Sequence, residues 1–200
     1  MLHKFYPVLP DAGWIARLVP LGVKTVQLRL KNADSAGIDA QIGRSLEICA
    51  AHGCQLIVND YWQAAIRLGA SYIHLGQGDL ASADLAAIAD AGLRLGISSH
   101  SHEELAIALA VNPAYVALGP VYETTLKVMP WKPQGLARLG EWKQRMGRRP
   151  LVAIGGITLE RAADVFAAGA DSIAVVTDIV AHENPEKRVE DWLAATDSTA

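Results

Sequence analysis

One unit repeats along this chain, and it limits the fold more than any other feature. A short β-rich run is followed by a longer Ala/Leu-rich stretch, and then by a glycine that opens the next run. Such runs lie at 4–9, 25–30, 55–60, 71–76, 94–99, 115–120, 150–155 and 172–177. The segments between them, about 10–18 residues each, carry helical apolar spacing. Ser101, with Glu104 three residues on, reads as a capping box, and Thr158 opens a helix in the same way. Asp34 or Ser35 caps the second helix. Gly22, Gly53, Gly69, Gly92 and Gly169 stand where left-handed C-caps are expected. Eight βα units in 200 residues specify an α/β protein, a minimal (β/α)8 TIM barrel forming one domain over 1–200. A doubly wound open sheet is the alternative. It usually carries a glycine-rich turn after its first strand, whereas this chain has Tyr6-Pro-Val-Leu-Pro10.

Within that frame the second run, Thr-Val-Gln-Leu-Arg-Leu-Lys (25–31), is unusual. Strand side chains alternate, so Gln27, Arg29 and Lys31 share one face and Val26, Leu28 and Leu30 the other. A basic inner face implies a bound anion, because unpaired buried cations are costly. A solvated edge strand is the plainer reading. The net charge of −3 argues against a general nucleic-acid or membrane surface, so any anion site is local. The N-terminus lacks the apolar core of a signal peptide, and no apolar run approaches membrane-spanning length. The chain therefore reads as cytoplasmic, with small-molecule partners; its oligomeric state is open. Cys49 and Cys54 have no CxxC partner and read as small buried thiols.

Function in a barrel collects where strands end, and the polar residues of this chain fall there. Arg29 and Lys31 follow strand two, Asn59 and Asp60 strand three, and Gln77 and Asp79 strand four. Ser98 to His100 close strand five, and Thr124, Thr125 and Lys127 follow strand six. Gly155 and Gly156 follow strand seven, while Val176 and Thr177 end strand eight. Asp60 and Asp79 are hard oxygen ligands on neighbouring loops and suit Mg2+. With Arg29, Lys31 and Lys127 they fit a metal-bound diphosphate. Gly155-Gly156 lets backbone approach a ligand, at the usual phosphate grip of this fold. One diphosphate pocket facing one monophosphate pocket fits the joining of two phosphorylated molecules with loss of diphosphate. His74 lies inside strand four, as barrel filling or as a hydrogen-bonding group. His100 and His102 have no third metal ligand nearby.

Gln-Leu-Arg-Leu-Lys (27–31), Val-Asn-Asp-Tyr-Trp (58–62), His-Leu-Gly-Gln-Gly-Asp-Leu (74–80) and Gly-Ile-Ser-Ser-His (96–100) resemble the thiamine-phosphate synthase family. So do Ala-Leu-Gly-Pro-Val-Tyr-Glu-Thr-Thr-Leu-Lys (117–127) and Val-Ala-Ile-Gly-Gly-Ile (152–157). The resemblance implies a TIM-barrel transferase of thiamine biosynthesis. It would couple hydroxymethylpyrimidine diphosphate to thiazole phosphate. It also implies that Gln27, Leu28, Arg29, Leu30, Lys31, Asn59, Ser98 and Lys127 bind the pyrimidine diphosphate and that Asp60 and Asp79 hold Mg2+. Thr124, Thr125, Leu126, Gly156, Val176 and Thr177 would surround the thiazole phosphate. Arg29, Lys31 and Lys127 would be the catalytic cations. Two positions depart from the family pattern. Leu126 replaces the second threonine of Thr-x-Thr-Lys, and Gly78 stands where an acidic residue commonly precedes the metal aspartate. The loop 120–134, bounded by Pro120 and Pro133, reads as a lid. A paralogue that isomerises the thiazole phosphate and a non-catalytic thiamine-phosphate sensor are the alternative functions.

Overall fold

The computed structural model describes residues 2–31, 34–124 and 132–197. Eight parallel strands close into a barrel in sequence order. They are β1 (Phe5–Leu9), β2 (Thr25–Leu28), β3 (Gln55–Asn59), β4 (Tyr72–Leu75), β5 (Arg94–Ser99), β6 (Tyr115–Leu118), β7 (Leu151–Ile154) and β8 (Ser172–Val175). Closure comes from the parallel pairing of β1 with β8, where Tyr6 sits opposite Ala174. No strand is therefore an edge, which removes the solvated-edge reading of β2.

The alternation within each strand divides the core into two layers. Val26, Leu28, Val58, Ile73, Leu75, Val116 and Ile173 point outward into one large cluster with the helices. Tyr6, Val8, Ile57, Tyr72, Tyr115, Ala117, Val152 and Ala174 fill the interior. Such a filled interior is a packed core and not a pore. The Tyr115 ring occupies the space above Gly96, where any Cβ would collide with it.

The helices are α1 (Ala12–Leu18), α2 (Ser35–Ala51), α3 (Trp62–Arg67), α4 (Gln77–Ser82), α5 (Leu85–Asp90), α6 (His102–Ala110), α7 (Gly135–Met146), α8 (Ala162–Ala167), α9 (Thr177–Val180) and α10 (Pro185–Asp197). Several are shorter than the helical patterning suggested. The stretch between β4 and β5 breaks in two because Asp84 accepts from the Ala87 amide and starts a new helix. Asp34 caps α2 through the Gly37 amide. Ser101 caps α6 through the Glu104 amide. Glu104 then reaches back to the His100 amide at 2.6 Å, one residue earlier than a capping box requires. Thr158 does not cap the turn it precedes. Its hydroxyl bonds the Glu160 carboxylate and helps hold that group down at a pKa of about 2. All five expected C-cap glycines have positive φ, between 60° and 109°. Cys49 and Cys54 are free and lie in side-chain contact with each other. No helix among the described residues is long and apolar enough to cross a membrane.

Candidate active site

Gln27 is the last inward residue of β2. It is buried and bonds the Tyr115 hydroxyl inside the barrel. The strand ends at Leu28, and Arg29 follows with its amide still donating to the Leu9 carbonyl at 2.8 Å. The Arg29 side chain is half-buried, and its charge acts on both Asp60 and His74. Leu28 and Leu30 belong to the outer core. Lys31 lies beyond the strand and is exposed, so strict alternation reaches Gln27 and Arg29 but not Lys31.

Asp60 follows β3 in the left-handed region, with φ of 68°. Its amide donates to the His74 carbonyl at 2.9 Å, tying the end of β3 to β4. Asp79 stands in the first turn of α4, and its carboxylate folds back over Gly76 at the end of β4. The two carboxylates lie in hydrogen-bonding contact. Burial and, next, the Asp79 charge push Asp60 up to about 6, while Arg29 and Asn59 pull the other way. Two like charges converging in a half-buried place are held only against repulsion. That is the donor set a divalent cation would relieve. Among the described residues no cluster of three acidic, histidine or cysteine ligands exists. The remaining positions would fall to water and substrate oxygens, which is the habit of Mg2+.

A hydrogen-bonded chain runs up the interior to this end. Tyr6 bonds Tyr115, the Tyr115 hydroxyl lies 2.9 Å from His74 Nδ1, and His74 Nε2 lies 2.8 Å from Ser98 Oγ. Burial, reinforced by Arg29, lowers His74 to about 4, so the imidazole is neutral and orients the Ser98 hydroxyl. Gln77 does not face the mouth. Its amide donates to the Ser98 carbonyl at 2.7 Å and braces the end of β5. His100 pairs with Glu104 at 2.8 Å, and the His102 ring lies tilted against Trp142, 4.8 Å between centroids.

Across the mouth, Thr124, Gly155, Gly156, Val176 and Thr177 line one cavity of about 420 Å3. Gly155 and Gly156 have φ of 98° and 64°. A Cβ on Gly156 would strike the Glu123 carbonyl and Tyr122, so glycine is required there by close approach as well as by φ. Val176 precedes α9 and offers its first amides no side-chain cap. Asp178, which also borders the cavity, is neutralised by Arg188 at 2.8 Å. Arg161 belongs to no motif in the sequence. Its guanidinium donates to the Gly156 carbonyl at 2.6 Å and lies 4.3 Å from the Tyr122 ring centroid. A basic residue one turn beyond a strand-seven Gly-Gly is the only signal that could have flagged it. Thr125, Leu126 and Lys127 lie outside the described residues. The base of the loop that carries them is closed by Gln134 and Gly135 amides donating to Pro120 and Val121 carbonyls.

The thiamine monophosphate synthase family matches residues 9–179 of this chain. A thiamine-phosphate synthase of Rhizobium etli is 57% identical over 195 residues, covering 98% of this chain and 96% of its own. One from Neisseria meningitidis serogroup A is 47% identical over 194 residues, covering 97% and 95%. Among solved structures, a thiamine phosphate pyrophosphorylase from Pyrococcus furiosus superposes with a TM-score of 0.83 at 26% identity, over 98% of this chain and 96% of that one.

Proposed function

The chain belongs to the thiamine monophosphate synthase family, and from that premise we propose how its barrel mouth joins the two substrates. The enzyme transfers the pyrimidinylmethyl group of hydroxymethylpyrimidine diphosphate to thiazole phosphate, yielding thiamine monophosphate and diphosphate. The observation that carries the assignment of sites is the pairing of an acidic cradle at β3 and β4 with a glycine-lined cavity at β7 and β8.

In this reading Asp60 and Asp79 hold Mg2+, which when bound supplies Lewis-acid charge to the departing diphosphate. Arg29, Lys31 and Lys127 bind the same diphosphate and stabilise the negative charge that grows as its C–O bond breaks. Gln27, Asn59 and Ser98 orient the pyrimidine, with Leu28 and Leu30 providing the adjoining backbone. The neutral His74 fixes the Ser98 hydroxyl. The thiazole nitrogen attacks the methylene carbon with its own lone pair, so no protein nucleophile is needed. Thr124, Thr125, Gly156, Val176 and Thr177 hold the thiazole phosphate, with the start of α9 offering backbone N–H groups. Leu126 removes one hydroxyl from that grip. Arg161 holds the Gly156 peptide in place.

Incubating the purified chain with Mg2+ and both substrates, then separating products by chromatography, tests the reading. Thiamine monophosphate should form. No product, or isomerised thiazole phosphate without coupling, would overturn it.

A further inference from the structure

The opposite end of the barrel carries a cavity of about 710 Å3, larger than the one at the mouth. That volume is within the range of small-molecule sites, roughly 300–1,000 Å3. It opens at the N-terminal ends of β4 to β7. Tyr72 and Tyr115 form its floor, and Leu85 and Ile88 of α5 with Leu93 and Val111 form much of its wall. Among the described residues, the charged groups lining it are Arg94 and Arg149.

Neither arginine has an acidic partner among the described residues. Arg94 donates to the Tyr72 hydroxyl at 2.8 Å and lies 5.4 Å from that ring's centroid. Arg149 donates to Asn112 Oδ1 at 2.6 Å. Both acceptors are neutral, and a guanidinium carries five N–H donors, so the exposed Arg94 and half-buried Arg149 keep free N–H donors at the rim of apolar walls. A carboxylate or phosphate can take two parallel N–H bonds from such a group.

We propose that this cavity is a second binding site, separate from the mouth, for a small amphipathic anion: an apolar, ring-sized body with one anionic group. The body lies against the α5 side, and the anion is shared by Arg94 and Arg149. The charge pattern selects against cations and against neutral molecules of the same shape.

The test uses the full chain and two probes of equal shape, 2-naphthoate and 2-naphthamide, measured by calorimetry. Naphthoate should bind one per chain and at least tenfold more tightly than naphthamide. The double variant Arg94→Gln/Arg149→Gln should weaken naphthoate at least tenfold and leave naphthamide unchanged. Ala89→Trp, which fills the cavity from α5, should abolish binding of both. All variants should retain synthase turnover, since none of these residues belongs to the mouth. Equal affinity for the two probes, or naphthoate binding untouched by either variant, would overturn the proposal. So would a probe-free dimer that Ala89→Trp dissociates, which would give the cavity to a second copy of the chain.

Discussion

Asp60 is a costly residue for the fold and a necessary one for the proposed chemistry. Its folded pKa of about 6 lies above the unfolded carboxylate range. The folded state therefore loses stability as pH rises through about 6, and the penalty is fully present at pH 7–8. Asp60→Asn removes that charge and keeps a side chain that tolerates positive φ. In EDTA at pH 7.5 the variant should melt higher than the parent. Allowing for solvent screening, the gain is on the order of 1 kcal/mol, or about 2–4 °C, and it should vanish near pH 4. The same variant should lose turnover by about 10²–10³ with Mg2+ present. An Asp60→Asn protein that is no more stable yet fully active would remove Asp60 from the cation site.

Gly156→Ala tests the other pocket. The added Cβ meets backbone at Glu123 and Tyr122, so the grip must shift. KM for thiazole phosphate should rise at least tenfold, with KM for the pyrimidine diphosphate little changed. Equal effects on both would mean general disruption. At this scale the sequence exposed residues whose type already names their chemistry, such as Asp60, Asp79 and Gly156. It did not expose Arg161 or the roles of His74 and Gln77. Those depend on which neighbours the turns bring within reach, and a single chain carries no local signal for that.

At the scale of elements, strands were far more legible than helices. Parallel barrel strands are buried on both faces and read as short apolar runs. The one-residue step that puts Gln27 inside and Leu28 outside follows from the two-residue period of a strand alone. The surrounding helices are short and Ala-rich, and their ends are set by single caps such as Asp84, which a periodicity window blurs. The C-terminal helix is held by one such point. Asp178 at the start of α9 accepts from Arg188 Nε and Nη2, Trp192 Nε1 and the Leu159 amide, tying α10 to the loop after β7. Its side chain is only 9% exposed. Asp178→Ala leaves the half-buried Arg188 with Glu160 as its remaining acidic partner among the described residues. It also takes the acceptor from the Trp192 indole and the Leu159 amide, so it should cost about 2–3 kcal/mol, a fall of roughly 5–10 °C in Tm. A drop under 2 °C would show that α10 docks by its apolar face alone, through Val189 and the Trp192–Phe5 stack.

The whole molecule is a closed barrel whose interior is plugged by tyrosines and whose proposed chemistry lies at one rim. Repetition made that architecture legible, because eight similar units leave few ways to bury eight two-sided strands. The sequence did not foretell that Tyr6, Tyr115, His74 and Ser98 form one hydrogen-bonded column beneath the mouth. The partners come from four strands far apart in the chain. The account makes the rim a place where one bond forms as another breaks, with water kept from the reacting carbon. Diphosphate release, followed with each substrate alone and with both together, tests this most directly. With Mg2+ and both substrates, diphosphate and thiamine monophosphate should appear one for one, and EDTA should stop both. Comparable diphosphate release from the pyrimidine substrate alone, or none when both substrates are present, would contradict the account.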